Sequence, residues 1–129
     1  NLLRQLQDET HGFYAFIPLV FHPEHNSLGR RIPQITSEED ILRTVAISRL
    51  FLDNFPHIKA YWIQMGIPTA MKALHAGASD LDGTIIEEKI THAAGAASPV
   101  GMTPEHIQEL IRAEGLIPVE RDAKYEIYS

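Results

Sequence analysis

The stretch FYAFIPLVF, residues 13–21, is apolar on both faces and rich in aromatic and β-branched side chains. A strand of that kind needs cover on both sides, the situation of a parallel sheet between helices. Pro18 predicts its end, because proline has no N–H to give to a ladder. A helix signal follows in TSEEDILRTVAISRLFLDNF (36–55). Thr36 with Glu39, and Ser37 with Asp40 one residue later, both have capping-box spacing. Ile41, Leu42, Val45, Ala46, Leu50 and Phe51 form the stripe expected to pack on a sheet. IKAYWIQM (58–65) is the second strand candidate. IPTAMKALHAG (67–77) reads as a helix with Pro68 near its start and Gly77 just past its end. ASDL (78–81) is room for only a very short strand. Thr84 with Glu87 begins another helix, TIIEEKITHAAG, stopped by Gly95. Thr103 caps a last one, with Pro104 in its first position and Gly115 at its end. The tail LIPVERDAKYEIY is expected as an extended arm.

This strand-then-helix rhythm predicts an α/β fold with parallel strands and right-handed crossovers. Three strand candidates do not close an eight-stranded barrel. Either a small open α/β unit or the late part of a (β/α) barrel is therefore expected. The opening NLLRQLQDETHGF lacks a methionine and reads as the second half of a helix, with Leu3, Leu6 and Gln7 on one side and Gly12 as its stop. Domains rarely begin inside a helix, so residues 1–129 are expected to be a single incomplete domain.

Charge and composition narrow the partners. Seventeen acidic residues against 11 basic give a net charge of -6, which disfavours a nucleic acid as partner. No apolar run is long enough for a membrane span, and the default location is cytoplasmic. Cysteine is absent, which excludes disulfides, thiolate chemistry and a cysteine-held metal in these residues.

In parallel α/β folds the chemistry lies where strands hand over to helices. In the first such loop, FHPEHN, His22 and His25 flank Glu24. Zinc would need a third and usually a fourth ligand, and none is evident, so no metal is assigned. A solvated rim and a ligand-contacting loop both stay open for His22, His25 and Asn26. In the second, Gln64 is a polar residue at the end of an apolar strand candidate, either bonded within the core or facing a ligand. In the third, Asp80 and Asp82 alternate around Leu81 and would face one way. Gly83 permits close approach, and the helix start at Thr84 would offer free N–H groups to a carboxylate or phosphate. The competing account is that Asp80, Asp82 and Thr84 only cap that helix.

Three motifs in order, LQDETHGFYAFIPLVFHPEHN, GASDLDGTIIEEKITHAAGA and RAEGLIPVERDAKY, carry a resemblance from about Leu3 to Tyr125. The chain resembles the C-terminal part of the aminofutalosine synthase family, radical S-adenosylmethionine enzymes of the futalosine route to menaquinone. Dehypoxanthine futalosine cyclases and deazaflavin-forming synthases share the Asp-x-x-Gly-Thr and Glu-Glu elements in modified form, while DLDGT and VERD favour the aminofutalosine synthases. The resemblance implies a (β/α) barrel whose N-terminal half holds a [4Fe–4S] cluster on three cysteines, with S-adenosylmethionine on the open iron. It further implies an external electron donor. The full enzyme would then add a 5′-deoxyadenosyl radical to a small-molecule substrate, 3-[(1-carboxyvinyl)oxy]benzoate, giving aminofutalosine with loss of carbon dioxide. On this reading His22, His25, Asn26, Gln64, Asp80, Asp82, Gly83 and Thr84 bind cofactor or substrate, and catalytic residues remain unassigned. The fragment alone is expected to be inactive. A non-catalytic binding or assembly module, with room for a homo-oligomer, and an ordinary barrel enzyme without radical chemistry are the alternatives.

Overall fold

Pro18 does end the first strand. In the computed structural model, which describes residues 1–84 and 101–128, β1 is Ala15–Phe16 and pairs in parallel with β2, His57–Ile58. The ladder closes with Lys59 N–H donating to the Phe16 carbonyl at 2.9 Å. A third segment lies on the far side of β2. The Ser79 N–H donates to Ile58 O, Ala60 N–H donates to Asp80 O, and Lys59 and Asp80 form a parallel bridge. The three segments are parallel as expected, in much shorter strands than their apolar runs suggest. No closed barrel is formed among the described residues.

The helices begin and end where short-range chemistry directs. Helix α1 is Leu2–Thr10, and its C-cap is His11 in the left-handed region, one residue before the expected Gly12. Of the two boxes before helix α2, Glu38–Phe51, the second is used: the Ser37 hydroxyl accepts from Asp40 N–H. Its stripe is narrower than expected, since Val45 is buried while Leu50 and Phe51 are exposed. IKAYWIQM does not continue as a strand. It turns after Ala60 into a one-turn helix α3, Trp62–Met65, because β1 has already left the ladder at Pro18 and offers no further partner. Helix α4, Ile67–His75, starts with Pro68 in its first turn. Helix α5, Pro104–Ala113, starts at Thr103, whose hydroxyl accepts from His106 N–H. The expected helix from Thr84 lies outside the described residues.

α2 packs on β2 and on α4, and α4 packs on α3, in a core where Ile58, Ala60, Trp62, Val45 and Ala70 are fully buried. Arg49 of α2 ties this core to the third segment by donating to Gly77 O and the Ser79 hydroxyl. Gly77 has φ 115°, and a Cβ there would sit 2.9 Å from Arg49 Cβ, so only glycine lets α2 and this turn approach so closely. The tail is not an extended arm. Residues 120–128 form a tight hairpin, with Asp122 N–H donating to Glu126 O and Tyr128 N–H to Glu120 O.

Candidate functional site

Alternation along the chain puts His57 and Lys59 opposite the core-facing Ile58 and Ala60. On that side they meet the hairpin. The Tyr125 ring stacks on His57 at 4.4 Å and on Tyr14 at 6.0 Å, with the Arg121 guanidinium 4.3 Å from its centre. Such stacking suits both the ring and the cation.

The two aspartates anticipated as site residues are both held by cations of this chain. Arg121 grips Asp80 as a fork, with Nε 2.8 Å from one carboxylate oxygen and Nη2 2.8 Å from the other. The Asp80 side chain is only 8% exposed, so this is a desolvated pair rather than a surface contact. Asp80 also accepts from the Asp82 N–H at 2.7 Å. Asp82 pairs with the Lys59 ammonium, and Arg121 lies 3.9 Å away. Hydrogen bonding to Asp80 holds the Arg121 guanidinium above its ordinary range, against a smaller opposing effect of burial. Asp82 and Gly83 both have positive φ, 73° and 77°, so the chain turns sharply at the exposed Gly83 and Thr84.

Helix α3 joins the loops that follow the strands. The Gln64 side-chain oxygen accepts from Val20 N–H at 2.9 Å, and the Gln64 carbonyl accepts from His22 Nε2 at 2.9 Å. A carbonyl only accepts, so the neutral His22 ring carries its hydrogen on Nε2 and keeps Nδ1 as an acceptor. Two residues earlier in the same helix, Trp62 Nε1 donates to Gly83 O at 3.1 Å. One short helix thus ties the first loop to the third. Asn26 serves its own loop, donating to His22 O and Glu24 O and accepting from Gly29 N–H. His25 is exposed at φ 56° and is not drawn into this network. A cavity of about 550 Å³ runs beside the third segment, lined by Asp80, Gly83, Thr84, Ile107, Ile111 and Arg121. Its wall is largely apolar, as ligand sites usually are.

The structure therefore brings His22 together with Gln64, and Asp80 with Asp82 and Gly83. Lys59, Arg121, Tyr125 and Trp62 were missed. Lys59 had a readable signal, since a lysine inside an apolar strand run must find a partner if buried. No group of three or more His, Cys, Asp or Glu side chains able to hold a metal occurs among the described residues. No described helix is long and apolar enough to cross a membrane.

His57 makes the cluster acid-sensitive. Burial chiefly lowers its pKa below the usual 6.5; Asp80 opposes this, while Arg121, Arg49 and Lys59 add to it. The unfolded chain then takes up this proton before the folded one. Stability is present in full above 6.5 and is lost as pH falls through the lowered folded value. Urea unfolding between about pH 7 and 5 should show this loss, and His57→Phe, which keeps the stack, should flatten it.

The family model for the CofH/MqnC C-terminal region matches residues 10–129. The aminodeoxyfutalosine synthase of Thermus thermophilus is 50% identical over 95% of this chain and 34% of its own length. The 5-amino-6-(D-ribitylamino)uracil–L-tyrosine 4-hydroxyphenyl transferase of Archaeoglobus fulgidus is 43% identical over 98% of this chain and 37% of its own. The cyclic dehypoxanthine futalosine synthase of Halalkalibacterium halodurans is 40% identical over 97% and 33%. The chain spans about a third of the length of these curated relatives. With all but the first nine residues matched by a single family model, the chain belongs to the family of CofH/MqnC C-terminal regions.

Proposed function

We propose that this chain is the substrate-facing C-terminal part of a radical S-adenosylmethionine enzyme of the futalosine and deazaflavin group. The observation that carries the reading is the family match over residues 10–129. The first and third strand-end loops meet on α3, and the third lines an apolar cavity through Gly83 and Thr84, an arrangement that suits such a site. The residues present do not fit an iron–sulfur cluster: the chain has no cysteine. In the whole protein the cluster would be held elsewhere, supplied by an external electron donor. The residues here would orient the small-molecule substrate and exclude water. His22 Nδ1 offers an acceptor, and the turn at Gly83 and Thr84 offers exposed backbone and hydroxyl groups. Asp80 and Asp82 act behind that turn, where Arg121 and Lys59 neutralise them.

Within the group, the finer reading is aminodeoxyfutalosine formation, supported by the 50% identity to the Thermus enzyme. The second reading is the cyclase or hydroxyphenyl transferase reaction, supported by the family description and by identities of 40% and 43%. The intact protein, reconstituted anaerobically and reduced with dithionite, should consume S-adenosylmethionine. Three substrate sets decide the product by mass spectrometry: 3-[(1-carboxyvinyl)oxy]benzoate, dehypoxanthine futalosine, and L-tyrosine with 5-amino-6-(D-ribitylamino)uracil. Aminodeoxyfutalosine from the first alone supports the finer reading. Turnover of only one of the others assigns the second, and no cleavage of S-adenosylmethionine refutes both.

A further inference from the structure

The Arg121–Asp80 fork joins segments 41 residues apart and lies directly behind the turn proposed to meet the substrate. Its anchorage is unusually complete for a tail. The guanidinium is bonded to both oxygens of a nearly inaccessible carboxylate and also donates to its neighbour's carbonyl, Asp122 O. Its plane is backed by Tyr125, which is itself held by His57 and Tyr14. Asp80 in turn fixes the Asp82 N–H, and Asp82 engages Lys59. A shift of the hairpin therefore has a direct route to Asp82 and Gly83. Both stand at positive φ, and Asp82 needs its surroundings to hold it there.

We infer that Arg121 is a positioning residue, which acts through Asp80 to hold the Asp82–Gly83–Thr84 turn in its ligand-binding shape. This rests on the reading above that the turn contacts the substrate. Hairpin and site are then one mechanical unit, and the substrate's fit depends on a residue that does not touch it.

The test uses the intact enzyme and the substrate that the product assay assigns. Arg121→Gln, Asp80→Asn and the double variant are compared by KM, kcat and thermal midpoint. Arg121→Gln should lower kcat/KM on the order of 10²-fold, as misplacement by about an ångström does. Asp80→Asn should do the same, and the double variant should be no worse than either alone. Arg121→Lys, which keeps the charge but not the fork, should fold and yet retain the raised KM. Adding guanidinium at millimolar levels to Arg121→Ala should restore KM in part. Lowered thermal midpoints with wild-type KM and kcat in Arg121→Gln and Arg121→Lys would overturn the inference and leave a structural clasp only. Thr84→Ala and Gly83→Ala separate the two claims. If they leave KM unchanged, the turn is not at the substrate and the site reading fails. If they raise KM while Arg121→Lys does not, only the positioning inference fails.

Discussion

Trp62→Ala is expected to destabilise the protein by about 3–5 kcal/mol, the range for removing a large aromatic from a filled core. Trp62 is completely buried, among Val45, Ile58, Ile63 and Ala70. Its loss would open a void in the core that α2, α3, α4 and β2 share. It would also strip Gly83 O of the indole donor 3.1 Å away. Trp62→Phe separates the two contributions. It keeps most of the apolar volume and removes the bond, and should cost about 1–3 kcal/mol. Because this is the chain's single tryptophan, unfolding of these residues should be followed by far-ultraviolet circular dichroism rather than fluorescence. A cost below about 1 kcal/mol for the alanine variant would contradict a close-packed layer at α3.

Lys59→Met should cost about 2–4 kcal/mol, because it leaves a partly buried carboxylate short of its nearest cation. The Lys59 side chain is 11% exposed and that of Asp82 25%, so solvent replaces the lost contact poorly. Arg121, 3.9 Å from Asp82, compensates in part, which places the effect below the full cost of a buried unpaired charge. Lys59→Met with Asp82→Asn should recover most of the loss, since asparagine tolerates the positive φ and carries no charge. The pH dependence has a definite sign. Burial pulls the Lys59 pKa down, but hydrogen bonds and charge from Asp82 and Tyr125 outweigh it and raise the folded value above 10.5. The stabilisation is therefore complete below 10.5 and is lost as pH rises through the folded value. Denaturant titrations at increasing alkalinity should show that step in the wild type and not in Lys59→Met.

Local chemistry explains why some elements were legible. Ser37 and Asp40, or Thr103 and Pro104, need only their own neighbours to start a helix. Gly77 and Gly115 stand at positive φ beside helix ends, as their positions after apolar stripes suggested. IKAYWIQM was misread because a β-rich composition makes a strand only where a partner ladder continues, and β1 stops at Phe16. Leu50 and Phe51 continue the α2 stripe in sequence, but α4 and β2 cover only the part around Val45.

The sequence by itself determined the parallel arrangement of the segments, the helix starts at Thr36 or Ser37, at Pro68 and at Thr103, and the group of related enzymes to which the chain is similar. Each depends on a few adjacent residues or on a long run of matching ones. Only the tertiary structure decided what the polar residues do. Asp80 and Asp82 were legible as a pair but not as partners of Arg121 and Lys59, which lie 41 and 23 residues away. Gln64 was legible as a polar residue near a strand's end but not as the joint between Val20 and His22. A buried charge or amide takes whichever partner the fold brings within about 3 Å, and sequence spacing carries no record of that distance.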